Sequence, residues 1–251
     1  NELSAVKAFD FELKSKYEIV MEYLCRGAGF FPNREKEGIK FKNLMLDSIP
    51  EADVMGIWML PFEEYYLNSY GDRQLKTTYL LDLEPWSSPE KPWSVALKGK
   101  KVLVIHPFKE TIERQYKRRE EIFPGTDILP EFELKTLKAV QTVAGEKDNR
   151  FSTWFDALEW MYQEAMNIDF DVAIIGCGAY GFPLAAKLKQ AGKQAIHLAG
   201  ATQLLFGIKG KRWEENTAFA YVQKFFNDAW VYPSDEDKPK AANKVEGGCY
   251  W

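Results

Sequence analysis

Between Ala5 and Cys25 the apolar residues Val6, Phe9, Leu13, Tyr17, Val20, Met21 and Leu24 recur at three- and four-residue spacing, with Gly27 and Gly29 behind them. This pattern predicts one or two amphipathic helices that stop at the glycines. "AGFFPN", Ala28 to Asn33, reads as a loop, and Phe41, Leu44, Met45 and Ile49 predict another helix ending at Pro50. The continuous apolar character of "ADVMGIW", Ala52 to Trp58, predicts a buried strand. From Gly71 to Lys98 the prolines and Trp86 and Trp93 follow no period, which predicts a packed loop with one short helix.

After this the pattern becomes regular. "KKVLVIHPF", Lys100 to Phe108, is an apolar run of the kind that fills an interior parallel strand, and the charged stretch after it predicts an amphipathic helix over Thr111 to Phe123. A strand over Leu134 to Val143, a helix over Ser152 to Met166 capped by Ser152 or Thr153, and a strand over Asp171 to Ile175 complete the alternation. Strands alternating with helices predict an α/β fold, a Rossmann-like, mostly parallel sheet with helices on both faces, and place ligands at the carboxyl ends of the strands. A single domain over 1–233 is expected, with a βαβ unit at 171–198 and a charged, mobile arm over 234–251, whose closing "EGGCYW" either docks back through its two aromatics or stays disordered.

Composition narrows the choice of chemistry. The 251 residues are 46% hydrophobic and 15% aromatic, so the chain has material for a full core. The net charge of -4 gives no footprint for a phosphate backbone, and nucleic acid is not an expected partner. No apolar run reaches the length of a membrane span, and a cytoplasmic location is expected. Three scattered cysteines and two histidines build neither a disulfide framework nor a zinc site, so no resident metal is expected from them.

The candidate chemistry gathers on "AIIGCGAYGFPLAAKLKQAGKQAIHLAG", Ala173 to Gly200, where Gly176, Gly178 and Gly181 satisfy G-x-G-x-x-G directly after a strand. A helix starting near Ala179 would aim its amides at an anion, and Tyr180 belongs to the same turn. A nicotinamide or flavin site also needs an acid about 20 residues on, at the end of the next strand. "AIHLAG", Ala195 to Gly200, has none, so NAD, FAD and S-adenosylmethionine are disfavoured. A structural glycine turn is the alternative. His106 and His197 stand at strand ends, Thr111 and Thr202 follow them on the same edge, and Lys209, Lys211 and Arg212 form a loop suited to a diphosphate or simply to solvent.

"KGKKVLVIHPFKETIERQY" (Lys98 to Tyr116), Ile174 to Trp213, "AGFFPN" and the closing "EGGCYW" together resemble the GT-D-fold-like group, relatives of bacterial GT-D glycosyltransferases. The resemblance implies a Rossmann-like fold and sugar transfer from a nucleotide-sugar donor to a glycan or protein acceptor, in bacterial surface polysaccharide or glycoprotein synthesis. It also implies an Asp-x-Glu near the start of the domain that organises the donor and a Mn or Mg ion. Glu2 is the position that matches its glutamate, and the aspartate would precede Asn1. The alternative is a non-catalytic relative that binds an anionic small molecule or a protein partner.

Overall fold

The computed structural model describes residues 14–146, 148–239, 242 and 247–251. Its centre is a four-stranded parallel sheet of β3 (Lys101–His106), β4 (Glu133–Lys138), β5 (Val172–Ile175) and β6 (Gln194–His197), in the order β4-β3-β5-β6. Val102 pairs with Leu134 on one side of β3 and with Val172 on the other, and Ile175 pairs with His197. A parallel sheet is buried on both faces, which accounts for the unbroken apolar runs of β3 and β5.

Alternation along those strands sends side chains to two separate cores. Leu103, Ile105, Ala173 and Ile175 face one, packed against α1 (Lys14–Gly27), α2 (Glu35–Ser48), α6 (Trp154–Met166) and α7 (Gly181–Gln190). Val102, Val104, Val172 and Ile174 face the other. That core is closed by Ile112 of α4 (Lys109–Tyr116), Ile122 of α5 (Arg119–Ile122), Leu204 of α8 (Ala201–Leu205), Trp213 of α9 (Lys211–Glu215) and Val222 of α10 (Ala220–Gln223). The α/β architecture with helices on both faces is therefore present, and each face has its own apolar stripe to bury.

Local signals account for several boundaries. Thr153 caps α6, accepting from the Asp156 amide at 3.2 Å while the Asp156 carboxylate accepts from the Thr153 amide at 2.8 Å. Gly192 ends α7 with φ +80°. The expected helix over Thr111 to Phe123 is instead two helices, α4 and α5, interrupted at Lys117 and Arg118. The expected strand to Val143 stops at Lys138, and the backbone turns away once Ala139 has donated to the His106 carbonyl.

The region before Lys98 departs further from expectation. β1 (Val54–Ile57) pairs in parallel with β2 (Lys76–Tyr79), a strand that emerges from the expected loop, and α3 (Glu63–Tyr70) connects them. β1 is not the buried strand that its composition suggests, since Val54 is 49% exposed and β2 is mostly open to solvent. A short polar run such as "KTTY" carries no periodic signal, and only its pairing partner makes it a strand.

Candidate functional site

The strand order sets β5 between β3 and β6, so the glycine turn after Ile175 lies between His106 and His197 at the carboxyl edge of the sheet. The turn is a 3-10 segment, Gly178–Tyr180, and α7 starts at Gly181. Gly178 has φ +59° with open space around its missing side chain. The other two glycines serve close packing. A Cβ on Gly176 would lie 2.6 Å from the His106 ring and from Thr202, and one on Gly181 would fall inside the His197 ring.

The two imidazoles are held in opposite tautomers. The Phe108 amide donates to His106 Nδ1 at 3.0 Å, so that nitrogen is unprotonated and Nε2 carries the hydrogen. His197 Nδ1 lies 3.3 Å from the Ile175 carbonyl, which only accepts, so here Nδ1 carries the hydrogen. Burial pushes the His106 pKa down to about 3 and that of His197 to about 4, the latter against the opposing pull of its carbonyl bond. Both rings are neutral at pH 7, and neither offers a charge to a phosphate.

This revises the expected anion site. Gly176 and Gly181 give their space to the histidines and Thr202, not to a diphosphate. Thr202 is fully buried, its hydroxyl donating to the Ile175 carbonyl. Tyr180 turns into the core, where its ring stacks on Trp154 at 4.5 Å and its hydroxyl meets Thr142 at 3.1 Å. Burial pushes that phenol above its ordinary range. Thr111 is also buried, donating to Asp237 at 2.5 Å and accepting from Arg114 at 2.7 Å. Tyr180, Thr202 and Thr111 therefore present no hydroxyl to a ligand here, because each is spent within the protein.

The basic loop divides in two. Lys209 pairs with Glu214 at 2.8 Å and lies over the Tyr232 ring, so its charge is already answered. Lys211 and Arg212 line an open cleft of about 510 Å³ together with Glu215, Asn216, Gly247 and Cys249. Arg212 Nη1 donates to the Tyr250 hydroxyl at 3.0 Å, and its guanidinium lies 4.7 Å from the centre of that ring. Stacking of this kind orients the planar fork of Arg212.

The closing residues build the far wall. The Arg212 amide donates to the Cys249 carbonyl at 3.0 Å, and Tyr250 fills the space left open by Gly200 and Gly210. Trp251 packs against Phe108, and its indole donates to the Asp237 carbonyl. The expected free arm is thus anchored where it is described: Asp237 is buried, taking hydrogen bonds from Thr111 and Ser234. Composition alone pointed to solvent because three acids in four residues read as a solvated run.

Gln203 is the residue that sequence reasoning passed over. Fully buried, it donates to the carbonyls of Ile208, Lys209 and Tyr250 and so ties α8, the basic loop and the terminal segment together. No local pattern distinguishes it from a surface glutamine. Glu2 lies outside the described residues. Among the described residues no group of three or more His, Cys, Asp or Glu is placed to hold a metal ion. No helix there is long and apolar enough to cross a membrane. No family model, no curated protein and no solved structure matches the chain.

Proposed function

We propose that the protein is a glycosyltransferase that takes a nucleotide-sugar donor, with the donor diphosphate seated in the Lys211 and Arg212 cleft. The observation that carries this reading is the cleft itself: Lys211 and Arg212 line it together with Glu215, and Tyr250 stacks on Arg212. The α/β fold and the resemblance in motifs support it. Transfer forms a bond from an acceptor oxygen to the anomeric carbon and breaks the bond from that carbon to the diphosphate. The leaving diphosphate gathers negative charge, which Lys211 and Arg212 would stabilise electrostatically.

Glu2 carries the acidic role in this reading. As the resemblance implies, Glu2 together with an aspartate before Asn1 would organise the donor and a Mn or Mg ion. The NAD, FAD and S-adenosylmethionine readings find no support at the end of β6, where His197 stands and no acid follows before Glu214.

A thermal-shift series with UDP- and GDP-sugars, with and without Mn²⁺ or Mg²⁺, tests the proposal. A donor at about 100 times its Kd stabilises the chain by roughly 2.7 kcal/mol. That shift should disappear in Lys211→Glu and Arg212→Ala, and silence from every donor would overturn the reading. The occupation of Gly176 and Gly181 by imidazoles favours a second reading, a non-catalytic protein that binds an anion or a protein partner in the same cleft. Under it Lys211→Glu abolishes binding while Glu2→Ala changes nothing measurable; under the first, Glu2→Ala abolishes turnover.

A further inference from the structure

Residues 247–251 dock on the carboxyl edge in space that two glycines leave for them. Gly200 (φ -63°, ψ -26°) and Gly210 (φ -161°, ψ 162°) have backbone conformations open to any residue, so conformation explains neither glycine. Space does. A Cβ on Gly200 would lie 2.7 Å from Tyr250 Cε1, and one on Gly210 would lie 2.8 Å from the Tyr250 carbonyl. The Arg212 amide and the Gln203 side chain donate to the carbonyls of Cys249 and Tyr250, and Trp251 packs on Phe108.

The docking is nevertheless left incomplete. Among the described residues, the buried side-chain atoms without a hydrogen-bond partner are Trp154 Nε1, Gln203 Oε1 and Asp237 Oδ1, and the last two belong to residues that anchor this segment. Gln203 holds the Tyr250 carbonyl, and the Asp237 carbonyl holds the Trp251 indole. A buried acceptor with no donor has lost its hydration without replacement, so each one weakens the docked state, and lifting Tyr250 and Trp251 would return water to both. The segment also begins with two successive glycines in the left-handed region, Gly247 at φ +70° and Gly248 at φ +80°. Residues without a Cβ absorb large backbone rotations. A Cβ on Gly247 would meet nothing within 4 Å, so packing does not hold that position.

Opening here would change the neighbouring site. Gly247 and Cys249 form one wall of the Lys211 and Arg212 cleft, and the Tyr250 ring orients Arg212, so the cleft is complete only while the segment is down.

We propose that residues 247–251 are a strap, hinged at Gly247 and Gly248, that lifts from the carboxyl edge while the sheet stays folded and that closes on a ligand in the cleft. Its coupling to a ligand rests on the reading of the cleft as a diphosphate site; its hinged opening does not. Hydrogen exchange of the full chain without ligand decides the opening. The Arg212 amide, bonded to the Cys249 carbonyl, should exchange at least about 100-fold faster than the Gly176 amide, bonded to the Ile105 carbonyl within the sheet. Gly210→Ala wedges the seat and should speed Arg212 at least about tenfold further, with Gly176 unchanged. Gly200→Ala should do the same, and should have no added effect in a Tyr250→Ala background. Equal exchange of the Arg212 and Gly176 amides, or an Arg212 rate indifferent to both glycine variants, overturns the strap. For the coupling the probe is inorganic pyrophosphate, with binding followed by calorimetry. At about 100 times its Kd it should slow Arg212 exchange at least about tenfold. Pyrophosphate that binds without slowing that amide overturns the coupling. Pyrophosphate that does not bind overturns the coupling together with the diphosphate reading, while the ligand-free exchange still decides the strap.

Discussion

Gly181 shows how one missing carbon can be the whole reason for a residue. Its backbone is ordinary helix, φ -65°, so any residue meets the conformational requirement, yet an added methyl would collide with the His197 ring. Gly181→Ala is therefore expected to cost about 1–3 kcal/mol through overpacking alone. Gly178→Ala faces open space, and its penalty of about 1–2 kcal/mol comes from the left-handed backbone. Urea denaturation separates the cases: in a His197→Ala background the penalty of Gly181→Ala should vanish, while that of Gly178→Ala should keep its size. His106 makes a prediction about acid. Its folded pKa, about 3, lies below the unfolded value near 6.5, so the unfolded chain binds the extra proton first. The contribution to stability is complete above pH 6.5 and is lost as pH falls from there toward 3. The slope approaches about 1.4 kcal/mol per pH unit. In His106→Asn, whose amide oxygen can still accept from Phe108, an unfolding series across that window should be flatter by this amount.

At the scale of elements, α6 was legible because its signals lie within one turn of each other. The Thr153 and Asp156 capping box and the spacing of Trp154, Leu158 and Met161 are local, and the helix starts where they place it. Thr153→Ala should lower stability by about 1 kcal/mol, read as a shifted urea midpoint with an unchanged slope. An unaltered midpoint would mean that packing of Trp154 holds the start without the cap. β3 and β5 were legible for a related reason, since residues covered on both faces must be apolar without interruption. β2 was not, because "KTTY" is exposed and has no pattern to show.

For the molecule as a whole, the terminal segment decides what the carboxyl edge offers. Tyr250 and Trp251 occupy the floor of the edge near Gly200, Gly210 and Phe108, and the cleft opens where they meet Lys211 and Arg212. Trp251→Ala should cost about 3–5 kcal/mol. The loss should appear as faster hydrogen exchange at Phe108 to Thr111 and at Arg212, with β3 and β5 unaffected. Unchanged exchange at those amides would show that the segment's contacts do not protect the edge. The candidate site was half legible for the same reason. Lys211 and Arg212 stood out as adjacent charges, whereas the wall formed by Gly247 and Cys249 reaches them from more than thirty positions away in the chain.

By itself the sequence determined the class of fold: periods of two and near four, caps and stops act over a few residues and survive any tertiary arrangement. Only the tertiary structure decided how the glycine motif is used. G-x-G-x-x-G requires space beside the backbone, but the groups that take that space, His106, Thr202 and His197, come from other strands and their loops. Whether such space admits a phosphate or a side chain depends on packing between segments up to 70 positions apart, and no local pattern of residues carries that information.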